Sequence, residues 1–164
     1  MQLELHLVPP PRFETRVYRS DLDDARSILI DVCWALESRS EFRLSGFGLP
    51  RWPVDAGTDL AILLEQLPHA LRQLEAGQIA VIDFYEQGVE CRIEWMPEGS
   101  EIVATCRGFG RLFLDPVVET MATSEVIEML SKAWATFIET LTQMAPELLD
   151  HPWIVEWRKG IAPL

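Results

Sequence analysis

The sequence predicts an α+β domain: an antiparallel sheet, formed by a meander over 79–86, 89–96 and 101–107 with N-terminal strands, packed against helices over 21–38, 59–76 and 124–144. Three observations carry this expectation. From Val89 to Trp95 apolar and polar residues alternate with a period of two, the mark of a strand with one dry face. Three other segments repeat their apolar residues every three or four positions, as amphipathic helices do. Glycine and proline stand between these segments, where neither regular structure continues.

Gln2 to Val8 alternates Leu3, Leu5 and Leu7 with Gln2, Glu4 and His6, and Pro9, Pro10 and Pro11 end it. Phe13 to Tyr18 is expected to add a partner strand. Ser20, followed by Asp21, Asp23 and Asp24, supplies an N-cap and an acidic first turn. The buried stripe of that helix is Leu22, Ala25, Ile28, Leu29, Val32, Cys33 and Leu36. Ile30 and Trp34 lie off the stripe and form a second apolar patch, expected to be covered by the fold. Glu41 to Phe47 reads as a strand and leads into a long loop, GFGLPRWPVDAGT, over 46–58. Loops of this length often carry function, and Arg51 and Trp52 are the residue types most enriched at binding hot spots. The competing expectation is that Trp52 plugs the core beneath the loop. Gly46 and Gly48 open a dinucleotide-like GxG, but Arg51 stands where the third glycine belongs and no strand-to-helix turn follows.

Thr58 caps a helix through Leu60, Leu63, Leu64, Leu67, Leu71 and Leu74 that Gly77 stops, with Pro68 expected to break or kink it near Leu67. Side-chain parity then aligns the meander. Apolar residues fall on odd numbers in Val89, Cys91, Ile93 and Trp95 and on even numbers in Ile102, Ala104 and Cys106. Facing residues must therefore sum to an odd number, which demands a turn of two or four residues about Glu98 and Gly99. The expected pairs are Trp95 with Ile102, Ile93 with Ala104, and Cys91 with Cys106. A two-residue turn at Gln87 and Gly88 pairs Phe84 with Cys91, Ile82 with Ile93, and Ala80 with Trp95. The opposite face carries Asp83, Tyr85, Glu90, Arg92, Glu94, Thr105 and Arg107, with Asp83 facing Arg92 and Glu90 facing Arg107.

Gly110 to Leu114 and Val117 to Met121 are expected to add strands. Thr123 or Ser124 caps a long helix with Val126, Leu130, Ala133, Trp134, Phe137, Leu141 and Met144 on one side. Asp150 is expected to cap a last short helix that docks Trp153 and Trp157 onto the core.

The 164 residues suffice for one domain spanning 1–164 with a full hydrophobic core. A hydrophobic fraction of 48% excludes a disordered chain, and no 18-residue apolar run marks a membrane span. The first residues, MQLELHLVPP, lack the basic and apolar regions of a secretory signal, so the expected location is cytoplasmic. The net charge of -12 is uneven: residues 1–51 hold eight acids and seven bases, and the rest hold eighteen acids and seven bases. Such a field repels nucleic acid and anionic lipid and attracts basic partners.

No catalytic signature stands out, so an enzyme is not the leading expectation. His6, His69 and His151 fall in no metal-ligand spacing, Cys33, Cys91 and Cys106 read as buried thiols, and GxSxG is absent. No metal or cofactor is expected. Acids on the sheet face have arginines opposite, which suits ion pairing better than general acid work. The leading expectation is an acidic protein-binding module for a basic protein, concretely a bacterial immunity protein that neutralises a toxin by occluding its active site. Asp83, Glu90 and Glu94, with Arg92 among them, would meet the partner's basic groove, Tyr85 or Trp52 would supply the buried anchor, and Arg51 beside Trp52 is a further partner-binding candidate. The rival expectations are a small-molecule-binding or enzymatic domain closed by loop 46–58, and a structural subunit of a homo-oligomer. The chain itself is expected as a monomer or a homodimer.

Overall fold

The computed structural model describes residues 1–85, 89–109 and 112–160. In chain order these form β1 (Gln2–His6), α1 (Ala25–Glu37), β2 (Glu41–Ser45), α2 (Asp59–Glu75), β3 (Ala80–Phe84), β4 (Cys91–Glu98), β5 (Glu101–Gly108), β6 (Val118–Ala122), α3 (Thr123–Met144) and α4 (Pro152–Arg158), with a 3-10 turn at Pro146–Asp150 before α4. The fold is α+β. β3, β4, β5 and β6 make an antiparallel sheet in that order, while β1 and β2 pair as a separate ribbon.

Leucine on nearly every side makes α2 the centre of the molecule. Eleven of its 17 residues are buried, and it meets α1, α3, α4 and β3. Pro68 does not break this helix, which runs on to Glu75. A proline inside a helix has no N–H for the carbonyl four residues back, here Leu64, and a buried unpaired carbonyl is costly. The indole Nε1 of Trp157 in α4 donates to that oxygen at 2.9 Å. The same region of α2 satisfies the free end of α4, since Arg72 donates to the Lys159 carbonyl and His69 Nδ1 lies 3.1 Å from the Gly160 oxygen. Gly160 has φ +63, and a Cβ there would lie 2.5 Å from the Pro68 oxygen, so only glycine fits this close approach. Trp157 packs against Trp134 and Phe137 of α3, which docks the C-terminal helix as the sequence suggests.

The start of α1 differs from expectation. Asp24, not Ser20, is the N-cap: its Oδ1 accepts from the Ser27 N–H at 3.0 Å, and the Ser27 hydroxyl accepts from the Asp24 N–H at 3.4 Å. A reciprocal pair satisfies two orphan donors where Ser20 would satisfy one. Leu22 is thereby left outside the helix and 72% exposed. Phe13 to Tyr18 forms no strand. Arg16 holds that segment instead, donating to Asp31 at 2.7 Å and to both oxygens of Asp23 at 2.6 and 3.0 Å, while lying 4.5 Å from the Tyr18 ring centre. A guanidinium satisfied by two carboxylates and an aromatic face fixes the chain without a ladder. Residues 112–114 are likewise irregular.

The N-caps of α3 and α4 also move. α3 begins at Thr123 with no side-chain cap, and the Thr123 N–H donates to the Ser100 carbonyl of the β4–β5 hairpin at 2.9 Å. At α4 the cap is His151 rather than Asp150, with Pro152 in the first turn.

The β3–β4 register is the expected one: Phe84 faces Cys91, Ile82 faces Ile93, Asp83 faces Arg92 and Ala80 faces Trp95. The expected turn at Gln87 and Gly88 lies outside the described residues. Between β4 and β5 the parity holds but the register is shifted by two. Trp95 faces Ala104 rather than Ile102, Ile93 faces Cys106 rather than Ala104, Cys91 faces Gly108 rather than Cys106, and Arg107 faces Arg92 rather than Glu90. Glu98 pairs with Glu101, so Gly99 and Ser100 form the two-residue turn. Gly99 has φ +67 and Ser100 is not among the positive-φ residues, the signature of a II′ turn, which demands glycine first. A tip at Glu98 and Gly99 would put glycine second. Cys91 and Cys106 still share the dry face, now as diagonal neighbours, and both thiols are free and buried.

Two outcomes are expected from this architecture. Trp157→Phe removes the donor to Leu64 and lowers stability by about 1–3 kcal/mol. In a Pro68→Ala background, whose restored N–H serves the same carbonyl, the loss is smaller, and denaturant melts of the four proteins measure the coupling. The second concerns acid. Arg16, and then the Arg19 N–H, hold the Asp23 carboxyl down to about 2, below its unfolded value of about 3.9. A depressed carboxyl stabilises above the unfolded value and loses that contribution as pH falls toward the folded one. Asp23→Asn therefore flattens the fall in melting temperature between about pH 4 and pH 2.

Candidate functional site

The helices cover one face of the four-stranded sheet and leave the other open. Ala80, Ile82, Phe84, Cys91, Ile93, Trp95, Ile102, Ala104 and Cys106 are buried on the helix side. The opposite side presents Val81 and Asp83 from β3, Arg92, Glu94, Met96 and Glu98 from β4, Glu101, Val103, Thr105 and Arg107 from β5, and Val118 and Thr120 from β6, none of them buried. Register orders these residues into rows. Val81, Glu94, Thr105 and Val118 form one, Met96, Val103 and Thr120 another, Asp83, Arg92 and Arg107 a third, and Glu98 faces Glu101 at the tip.

Charge is segregated along this face. The two glutamates stand together at the hairpin tip, the two arginines stand together six residues away, and at about 3.3 Å per residue the ends are about 20 Å apart. Met96 and Val103 make an apolar middle. Arg92 reaches Asp83 only at 4.0 Å, and Arg107 has no ion pair among the described residues. A hollow of about 360 Å³ opens between the arginines, lined by Arg92, Glu94, Thr105, Arg107 and Phe109, the last 68% exposed. A second hollow of about 500 Å³ adjoins it past Thr105 and Arg107, walled by Leu112, Phe113 and Val117.

The residues proposed from sequence separate. Asp83, Arg92 and Glu94 share the open face. Tyr85 stands at its rim and is tied to the helices: its hydroxyl donates to Glu65 Oε2 at 2.6 Å, and the Arg26 guanidinium lies 5.3 Å from its ring centre. Glu90 precedes β4 at φ +44, and its carbonyl accepts from the Phe109 N–H at 2.8 Å. Arg51 lies beside the small sheet, 3.8 Å from Glu41 of β2. Trp52 is 1% exposed and fills the core under the loop, with its indole N–H on the Gly46 carbonyl at 3.1 Å. Glu98, Glu101, Met96, Phe109 and Val118 were not singled out from sequence. The signal that would have found the first two was the conformational demand of Gly99.

Elsewhere the chemistry is structural. Asp59 is buried at the start of α2, where one oxygen accepts from the Asp55 N–H at 3.0 Å and the other from the Val89 N–H at 3.3 Å. Burial pushes its carboxyl up, opposed by those two donors. With both oxygens occupied it ties the β3–β4 connection to α2. Burial pushes the Cys33 thiol up as well, and the Cys91 thiol is raised by its hydrogen bond with Cys106 and by burial. Such thiols are poor nucleophiles. No cluster of three metal-ligating side chains occurs among the described residues, and no described helix is long and apolar enough to cross a membrane. The second apolar patch of α1 is covered only in part, since Ile30 is half-buried against the core and Trp34 is not. Trp34 is 60% exposed beside Ile30, over a hollow of about 210 Å³ shared with Thr58 and Ile62.

Comparison with protein-family models, with curated proteins and with solved structures found no match.

Like charges directly opposed on adjacent strands cost stability. Arg107→Glu converts the Arg92–Arg107 pair into an attractive one and should raise stability by about 0.2–1 kcal/mol at low salt. Denaturant melts at two ionic strengths check this, with the gain shrinking as salt is added.

Proposed function

We propose that the chain is a protein-binding module whose recognition surface is the open face of the four-stranded sheet, and that its partner is a basic protein. The concrete form of this reading is an immunity protein that occludes the active site of a toxin. The observation that carries it is the open middle of that face, where Met96 and Val103 stand opposite each other, with Val81 and Val118 on the two edge strands and charges around them. A sheet face that served only solvation has no need of four apolar side chains, and an apolar centre with a charged rim is the usual anatomy of a protein interface. Asp83, Glu94, Glu98 and Glu101 outnumber the two arginines on the same face, and the net charge of -12 extends the attraction to a basic partner beyond contact. The mechanism is steric and electrostatic. Acids of the hairpin half meet the partner's basic groove, Met96 and Val103 supply the desolvated centre, and access to the groove is closed. Buried Trp52 takes no part, and Tyr85 contributes only as a rim residue.

Co-expression with the protein encoded beside its gene tests the reading. If that neighbour is a toxin, the wild-type chain restores growth and co-purifies with it. Met96→Asp with Glu94→Lys weakens the complex by at least about tenfold, as loss of about 1.4 kcal/mol at a central contact requires. A complex unaffected in affinity and in salt dependence removes this face from the account.

A further inference from the structure

We infer that the Arg92–Arg107 end of the open face is a carboxylate-binding notch, in which a protein partner seats an aspartate or glutamate side chain. The inference rests on the reading of the sheet face as the recognition surface and adds that the partner is two-signed: basic where it meets the hairpin tip, acidic about 20 Å away.

Four features converge here. The arginines face each other on adjacent strands, so their guanidinium groups rise from neighbouring backbone positions into one space. That arrangement is unfavourable when empty and is relieved by an anion placed between them. Among the described residues neither arginine is fully satisfied, since Arg92 has a single ion contact, at 4.0 Å with Asp83, and Arg107 has no ion pair. The space between them is a hollow of about 360 Å³, large enough for a carboxylate and the methylenes that carry it. Its remaining walls suit such a side chain: Thr105 offers a hydroxyl donor, and exposed Phe109 an apolar surface for the stem.

The nearby acids select among anions. Asp83 faces Arg92, and Glu94, paired with Thr105, stands diagonal to Arg107 and lines the hollow. A phosphate dianion brought between the arginines would meet both carboxylates. A planar monoanion matches the guanidinium fork and carries half that repulsion. Glu94 is also placed to take a cation that neighbours the partner's acid.

The test needs no partner. The probe is N-acetyl-glutamate N-methylamide, whose only charge is a side-chain carboxylate, titrated into ¹⁵N-labelled full chain at constant ionic strength. Inorganic phosphate is a second probe, and sodium chloride the control. Saturable shifts of the Arg92 and Arg107 Nε–H and Thr105 amide signals are expected with the carboxylate. Binding should weaken about fivefold in Arg107→Gln and be unchanged in Glu98→Gln at the far end of the face. Arg107 is exposed, so the variant keeps its fold, which the amide spectrum verifies. Shifts that track total salt alone, or an unchanged Arg107→Gln, overturn the notch, and tighter binding of phosphate overturns its assignment to carboxylate. Because the probe is independent of any partner, its failure leaves the sheet-face reading standing. Probe binding without any effect of the face on complex formation sinks that reading alone.

Discussion

A proline in the most buried helix of the chain imposes the constraint on which the rest of the packing depends. α2 is enclosed by three helices and a strand, so the Leu64 carbonyl left without a helical partner by Pro68 has no water to turn to. The Trp157 indole is its partner. That one hydrogen bond sets where α4 must lie, and the other contacts follow: His69 and Arg72 satisfy the end of α4, Gly160 passes close over the Pro68 turn, and Trp157 presses against Trp134 and Phe137 of α3. Helices α2, α3 and α4 are thereby joined into one layer on one side of the sheet.

The same helix closes an edge of the sheet. Gln66 of α2 donates to the Asp83 carbonyl at 3.0 Å and accepts from the Asp83 N–H at 2.9 Å, so its amide takes the place of a neighbouring strand. An edge with occupied backbone groups does not invite strand addition there. The two ends of the open face differ in sign because the β4–β5 register sets glutamate against glutamate at the tip and arginine against arginine farther along. Shifted by two residues, the same strands would have set Glu90 against Arg107 and erased the arginine pair. The electrostatics of the candidate surface are therefore a consequence of turn geometry at Gly99.

Sequence reasoning reached the periodic features because they are local. The stripes of α1 and α3 and the alternation in β3, β4 and β5 declare which side chains are dry, and the structure buries Ile28, Leu29, Val32, Phe137, Ile82 and Ile93 accordingly. It went astray at several places where two solutions bury the same residues. Ser20 and Asp24 are both plausible caps before one apolar stripe, and only the reciprocal bond with Ser27 separates them. Tyr85 belongs by parity to the open face, yet Glu65 and Arg26, distant in sequence, hold it at the rim.

What the sequence by itself determined is the inward face of each strongly periodic helix and strand, since periods of 2 and 3.6 are properties of the backbone that any burial must respect. The tertiary structure alone decided which residues stand side by side across β4 and β5. A register shift of two leaves every inward side chain inward, so hydrophobicity is blind to it, and the pairing of Arg92 with Arg107, like that of Trp157 with Leu64, was settled by the directional demands of a glycine turn and an unpaired carbonyl.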